Sequence, residues 1–288
     1  MNAAQNSSIP GLGAAIRVVF TILVLVALYY LYEYLFSPVG MEGKTVLNTI
    51  TVAAPSAPIL VVGEKLPALY EGGEFSVNTW IYLTDYSVNR GRNKHVLSIG
   101  GSSFTTLAVF LGPYKSTLSV RVHTRNGTGS SVAVGGPSAG PTDQSDSLST
   151  EVIKNLFATP QTDSSLLDIG RPCDVPNLEL QKWLQLTVCL NNKTCDVYLD
   201  GKLARSCVLP SFYKVDKTNL AMSICNYGGF GGYISNTTVY NYALNPEQTW
   251  KLYMAGPGPQ YGFVDWIKSL FDPKAVNSLD FPKMNVTS

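Results

Sequence analysis

Between residues 74 and 244 the chain alternates apolar and polar side chains in many short stretches. The stretch EFSVNTWIYL, residues 74–83, alternates with the period of two that is typical of a strand with one buried face. The stretches HVLSIGG, TTLAVFLG and TLSVRVHT follow, separated by turns that contain glycine, proline or asparagine. No helical pattern interrupts these strands, so the sequence predicts an all-β sandwich of antiparallel strands.

The stretch WLQLTVCLNNKTCDVYLDG, residues 183–201, predicts a hairpin that continues into a third strand. Apolar side chains alternate on both sides of an Asn-Asn-Lys turn, and Asp200-Gly201 is typical of a second tight turn. If residues 191–193 form the loop, Cys189 lies directly across from Cys195. This register is compatible with a disulfide between them, and equally with two buried, reduced cysteines.

A long apolar stretch lies near the start of the chain. Residues 18–32 contain no charge, and residues 14–36 carry only Arg17 and Glu33 near their ends. About 20 apolar residues cross a bilayer, so the sequence predicts a transmembrane helix over residues 14–36 after a tail of residues 1–13. A cleaved signal peptide is the alternative, but residues 1–16 lack its basic start. The side chains expected at the membrane interface are Arg17, Tyr29, Tyr30, Tyr32 and Tyr34.

Three further segments complete the predicted organisation. A small, proline-containing stretch over residues 37–57 predicts a linker, and the Gly/Ser-rich residues 125–150 predict a long surface loop. An Asn-Pro-Glu sequence that starts at Asn245 predicts a capped helix after the last strand. Residues 257–288 form a C-terminal segment and tail with an amphipathic pattern. This pattern predicts packing against the sandwich or, alternatively, docking on a membrane interface or a partner, through Phe263, Trp266, Ile267, Leu270 and Phe271.

Three segments together resemble a known family of sandwiches. They are EFSVNTWIYL, KWLQLTVCLNNKTCDVYLDGKLARSCVL and FGGYISNTTVYNYALNPEQTWKLYMAGP. They are similar to the laminin-G/pentraxin-like branch of the concanavalin A-like jelly rolls. The resemblance implies a jelly roll over residues 58–256 and places Trp183 at the family's core tryptophan. Together with the apolar N-terminal stretch, DGKLARSCVLP also resembles membrane-associated minor capsid proteins of large DNA viruses.

Composition narrows the classes of function. Charged residues are only 14% of the chain and the net charge is +1, so a basic face for nucleic acid is not expected. The glutamates are isolated, and His95 and His123 form no recognisable catalytic pair. The five cysteines lack the paired spacing of a zinc site. The sequence therefore predicts a protein that is not an enzyme and has no cofactor.

The sequence leaves two kinds of ligand possible, calcium and carbohydrate. Loop oxygens for calcium are available on Asp85, Asn89, Asn93, Asp168 and Asp174, but no family calcium site matches them. Tyr227 and Phe230 are candidate aromatics for stacking on a sugar, although such aromatic-glycine stretches also close strand ends.

Taken together, the sequence predicts a single-pass membrane protein with a structural or adhesive role. Its expected partners are the lipid bilayer and a protein layer such as a viral capsid, which would place it at the interface of a virion's inner membrane and its capsid. The alternative is a surface carbohydrate-binding module with glycans as partners.

Overall fold

The computed structural model describes residues 12–36, 43–47, 49–53, 58–125, 148–160 and 173–258, and in the first range the side chains of residues 17–31. Residues 1–41 and 42–288 form two compact units. In chain order the described elements are α1 (Leu12–Phe36), β1 (Lys44–Leu47), β2 (Thr51–Val52), β3 (Ile59–Val62), a short 3-10 helix (Gly63–Lys65), β4 (Glu74–Leu83), β5 (Lys94–Gly100), β6 (Thr105–Leu111), β7 (Leu118–Val122), α2 (Thr150–Ala158), β8 (Trp183–Asn191), β9 (Thr194–Leu199), β10 (Lys202–Val208), β11 (Ala221–Ile224), β12 (Gly232–Tyr240) and α3 (Pro246–Ala255).

Helix α1 forms where the apolar N-terminal stretch predicts a helix, but it does not support the predicted membrane span. In the part of the chain that the structure describes, no helix is long and apolar enough to cross a bilayer. The prediction of a single-pass membrane protein, including its localisation, is therefore wrong.

Three of the five side chains predicted at a membrane interface are described by the structure. Arg17, Tyr29 and Tyr30 are exposed on α1, and the two tyrosine rings contact each other edge to face at 5.7 Å. The side chains of Tyr32 and Tyr34 lie outside the described residues.

The second unit is a sandwich of two antiparallel sheets, as the alternating pattern predicts. The seven-stranded sheet, here called the large sheet, has the order β1-β12-β4-β8-β9-β10, and β2 also pairs with β12. The five-stranded sheet, here called the small sheet, has the order β3-β11-β5-β6-β7. The inward side chains of both sheets form one apolar core, to which β4 contributes Phe75, Val77 and Ile81 and the small sheet contributes Leu97 and Leu107. Burial of these apolar faces is the main force that holds the two layers together.

Three elements in this unit were not expected from the sequence: the strands β1 and β2 and the helix α2. The predicted linker, residues 37–57, contains β1 and β2, which pair with β12 and so extend the large sheet. Helix α2 is the third, because the strand region was predicted to contain no helix. Its signals are Ser149, whose side chain caps the helix by accepting a hydrogen bond from Val152, and the buried pair Ile153 and Phe157 at i, i+4 spacing.

The hairpin of β8 and β9 forms, but its register differs by one residue from the prediction. The turn consists of only two residues, since Asn191 pairs with Thr194, and Asn192 has the positive φ of 53° that such a turn needs. Cys189 therefore lies opposite Asp196, while Cys195 lies opposite Leu190. A shift of one residue moves a side chain to the other face of a sheet, so Cys189 and Cys195 point to opposite faces. Of the two possibilities that the sequence leaves open, a Cys189–Cys195 disulfide is not formed: both cysteines are buried and free, and the disulfide joins Cys173 to Cys207.

Each sheet also has an outer face on which a helix packs. On β6, the core-facing side chains alternate with Ala108 and Phe110, which form a separate apolar cluster with Ile153 and Phe157 of α2. The predicted C-terminal helix α3 packs on the outer face of the large sheet, where the ring of Tyr253 stacks on Trp80. Its N-terminus carries the expected cap at Asn245, in a reciprocal capping box with Gln248. The predicted amphipathic segment after residue 258 and the loop over residues 126–147 lie outside the described residues.

Candidate binding site

Three aromatic side chains form a row across the outer face of the large sheet. Tyr82 on β4 lies directly opposite Trp183 on β8 and Tyr233 on β12. Its ring centroid is 5.5 Å from that of Trp183 and 6.0 Å from that of Tyr233, and both pairs are tilted by 58°. We call Tyr233, Tyr82 and Trp183 the aromatic row. All three side chains are half-buried, so part of each ring surface faces solvent.

The sequence positions the aromatic row through strict alternation. On β4, Ile81 and Leu83 point into the core, so Tyr82 between them must point outward. On β8, Leu184 is in the core and Trp183 precedes it on the opposite face. The resemblance to a core tryptophan is therefore wrong for Trp183, because the register places its indole on the outer face.

The surroundings of the aromatic row are apolar at one end and charged at the other. Val52 pairs with Tyr233 in register and is 53% exposed, so it extends the row by one strand. At the Trp183 end, the ammonium group of Lys182 lies 3.1 Å from carboxylate oxygens of both Glu179 and Asp200. Lys182 and Glu179 are exposed, whereas Asp200 is half-buried and also accepts a hydrogen bond from the Gln185 backbone, so the exposed ion pair of Lys182 and Glu179 contributes little to fold stability.

The next row of the same face is closed to ligands by the C-terminal helix. The indole of Trp80 is 3% exposed and stacks on Tyr253 at 5.9 Å. Beside it, the hydroxyl of Ser235 donates to the carbonyl of Pro257, and the side-chain amide of Gln185 donates to the carbonyl of Thr249. The aromatic row is thus the part of this aromatic surface that α3 and residues 256–258 leave accessible.

Below α3, polar side chains of the sheet form a buried hydrogen-bond network. The amide nitrogen of Gln185 donates to the Asn78 side-chain oxygen at 2.7 Å, and its oxygen accepts from the backbone of Gly201 at 2.9 Å. The hydroxyl of Thr187 donates to the same Asn78 oxygen. Because all these groups are buried and paired, the network fixes the position of α3 and so the boundary of the aromatic row.

The two aromatics predicted to face a ligand are not brought together. Phe230 is 1% exposed and belongs to the core, so it cannot stack on a sugar and that prediction is wrong. Tyr227 is 39% exposed, but one face of its ring stacks on Phe157 of α2 at 5.0 Å and its edge meets His95. Tyr227 thus belongs to the packing of α2 rather than to the aromatic row.

The described side chains among the predicted calcium ligands each form other contacts. A side-chain oxygen of Asp85 accepts hydrogen bonds from Ser87, which lower the pKa of Asp85. The side-chain amides of Asn89 and Asn93 donate to backbone carbonyls of other segments. Asp174 forms a two-point ion pair with Arg121, and Asp168 lies outside the described residues. The partners of these four side chains belong to different segments of the chain.

A lysine occupies the centre of the loop that carries these side chains. The ammonium group of Lys94 lies 3.1–3.4 Å from the carbonyl oxygens of Asn89, Arg92 and Pro113, and 4.2 Å from the ring centre of Tyr86. Burial lowers the pKa of Lys94 to about 8. The three carbonyls and the ring favour the charged form, so a protein cation organises this loop.

Both histidines are structural in their contacts. The Nδ1 atom of His95 accepts the backbone N–H of Asn226, so Nε2 carries the proton and donates to the hydroxyl of Ser98. Burial lowers the pKa of His95 to about 3, which keeps it neutral. His123 accepts from the backbone of Leu148 and stacks on Phe104, and burial lowers its pKa as well.

Comparisons with known proteins give a likeness of shape. No family model matches the chain, and no curated protein matches it. Among solved structures it is similar to the ligand-binding domain of botulinum neurotoxin serotype D in complex with N-acetylneuraminic acid, at 13% identity and a TM-score of 0.45 over 75% of this chain and 47% of that one. It is also similar to the binding domain of serotype G, at 14% identity and a TM-score of 0.41 over 81% of this chain and 48% of that one. The chain spans about half the length of the solved domains that it matches.

Proposed function

We propose that this protein is an adhesive, lectin-like binding module whose ligand is a carbohydrate bound on the aromatic row. The observation that carries the proposal is the row itself: three half-exposed aromatic rings in register on three neighbouring strands of a rigid sheet. Aromatic rings offer large apolar faces to the C–H faces of a sugar, while the phenol hydroxyls of Tyr82 and Tyr233 are polar ends for its hydroxyl groups.

The placement of the aromatic row favours binding without rearrangement. Alternation on β4, β8 and β12 fixes each ring on one face, and ring contacts on both sides hold Tyr82 in place. Little conformational entropy then remains to be lost when a ligand binds, which favours affinity. The Lys182, Glu179 and Asp200 side chains supply charged hydrogen-bonding groups at one end.

Binding rather than catalysis is part of the proposal. The two histidines are buried, neutral and hydrogen-bonded within the fold, so neither is available near the aromatic row as a general acid or base. The assignment to the laminin-G/pentraxin-like branch stays a prediction. A role in a viral protein layer also stays a prediction, because no contact among the described residues supports it.

A glycan array with the full-length protein tests this function. We expect saturable binding to a defined set of saccharides, and loss of that set in the double variant Tyr82→Ala, Trp183→Ala. The matched control is Tyr70→Ala, which removes a ring that is 62% exposed and precedes the start of β4, at the opposite end of that strand from Tyr82. If the folded wild-type protein binds no saccharide, or if the double variant binds the same set equally well, the proposed function is wrong.

A further inference from the structure

A cluster of three sulfur atoms lies at one edge of the sandwich, away from the aromatic row. The Sγ atoms of Cys173, Cys195 and Cys207 all lie within 4.8 Å of one another. Cys195 and Cys207 are direct neighbours in register on β9 and β10. Cys173 precedes a short segment that pairs through Val175 with Leu118 of β7. In this structure Cys173 and Cys207 form a disulfide, and Cys195 is the third, free thiol.

The cluster has a defined place between the two sheets. Strand β10 is the edge of the large sheet and β7 is the edge of the small sheet, so the Cys173–Cys207 disulfide joins the two layers at their open side. Cys195 and Cys207 are buried, whereas Cys173 is half-buried and provides a path from solvent. The other two free cysteines, Cys189 and Cys225, are not members of the cluster.

We propose that the reduced form of this cluster is a zinc site in which Cys173, Cys195 and Cys207 are the three protein ligands. With Zn–S bonds of about 2.3 Å, the sulfur atoms of a tetrahedral site are about 3.8 Å apart, so the present cluster needs only small movements once the disulfide opens. Thiolates are the ligands that soft and borderline metals such as zinc prefer. Water occupies the fourth position, as in sites with three protein ligands.

The disulfide form is converted to the zinc form in two steps. Two molecules of a thiol reductant reduce the Cys173–Cys207 bond, which yields two protein thiols and one disulfide of the reductant. Zinc then binds three thiolates and releases three protons.

Spectroscopic titration of the full-length protein tests the site. The protein is reduced with a phosphine, kept free of oxygen and titrated with cobalt(II), whose bonds to thiolates give near-ultraviolet charge-transfer absorption, and the cobalt is then displaced with zinc. We expect one metal ion per chain in the reduced protein and none in the oxidised protein. Cys195→Ala should weaken binding by more than about 100-fold, because changes in groups that only support a ligand already cost 10–100-fold.

The matched control is Cys225→Ala, which removes another buried thiol outside the cluster. It should bind the metal as tightly as the unchanged protein. If the reduced protein binds no metal, or if Cys195→Ala binds as tightly as Cys225→Ala, the proposal is wrong. An unfolded reduced chain would bind through any cysteine, so equal weakening in both variants would also overturn it. Circular dichroism of each reduced variant shows whether the sandwich is intact.

Discussion

The two outer faces of the sandwich are covered by helices in opposite ways. On the small sheet, α2 packs through an apolar cluster of Phe110, Ile153 and Phe157. On the large sheet, α3 packs over a buried polar network around Gln185 and Asn78, with a single stacked pair of aromatic rings. The apolar cluster of α2 has no preferred direction by itself, and separate hydrogen bonds from Asn93 to the Leu156 carbonyl and from Thr150 to the Ser102 carbonyl orient this helix. The α3 contact is directional at its centre, because its hydrogen-bond network is satisfied in one position only.

This difference explains where a ligand surface remains. The apolar contacts of α2 extend as far as Tyr227. The aromatic side chains near this helix therefore pack against it and do not form an open surface. The helix α3 stops at a boundary that its hydrogen bonds define, one row before Tyr82, Trp183 and Tyr233. The large sheet thus combines a fixed cover with an adjacent open aromatic surface.

The largest loss of stability is expected when the apolar contact between α2 and the small sheet is weakened. Phe157→Ala should lower the free energy of unfolding by about 3 to 5 kcal/mol, because Phe157 is 2% exposed and contacts the rings of His95, Phe110 and Tyr227. Chemical denaturation measures the change. Lys154→Ala on the exposed side of the same helix is the control and should change little. A loss of less than about 1 kcal/mol for Phe157→Ala would show that α2 is not held by this cluster.

A smaller loss of stability is expected when the polar network between α3 and the large sheet is changed. Gln185→Leu should cost about 1 to 3 kcal/mol, because it leaves the backbone N–H of Gly201 buried without its acceptor. Thr187→Val is the graded control, since the Asn78 oxygen keeps its bond from Gln185 in that variant. Equal effects of the two changes in denaturant melts would contradict a network centred on Gln185.

The dependence of stability on pH gives a further prediction for the side of the sandwich that α2 covers, where the ring of His95 contacts Phe157. The folded state holds His95 neutral with a pKa of about 3, below the ordinary value of 6.5, so the unfolded chain binds the proton first as the pH falls. This contribution to stability is complete above about pH 6.5 and is lost as the pH falls towards 3. His95→Gln keeps a donor and an acceptor but has no titration, so its stability should fall less over this range. Parallel curves of stability against pH for both proteins would contradict the assignment.

The smallest effect on stability is expected at the aromatic row. Trp183→Ala should cost about 1 kcal/mol, because the indole is half-buried and its main contact is the ring of Tyr82. A core tryptophan would cost about 3 to 5 kcal/mol instead. A loss of that size in a denaturant melt would return Trp183 to the core and remove the basis of the binding surface.

Much of the fold could be predicted from the sequence because alternation directly reports a sheet with one buried face. The two sheets, the strand β4 and the capped helix α3 follow from such local signals. The register of β8 and β9 depends on whether the turn has two or three residues, and this single residue decides which cysteines meet. Helix α2 was missed because its apolar stripe is short and follows a long Gly/Ser-rich stretch.

The sequence predicted the type of the candidate site but not its residues. An aromatic surface for sugars was expected, but at Tyr227 and Phe230 rather than on the sheet. The aromatic row needs three strands that are distant in sequence to meet in register, with Tyr82 opposite both Trp183 and Tyr233, and local patterns do not contain that pairing. In the same way, the membrane span was inferred from the length of an apolar stretch, which the described helix does not support.

The most direct test of the central claim is the position of the ligand on the protein. The chain has four tryptophans, Trp80, Trp183, Trp250 and Trp266, so the side-chain indole signals in a nitrogen-15 NMR spectrum form a small, assignable set. The full-length protein is titrated with the saccharide that the glycan array selects. We expect the Trp183 signal to shift progressively to saturation and to shift more than the Trp250 signal. Saturable binding that leaves the Trp183 signal unmoved would contradict the assignment of the aromatic row as the binding site.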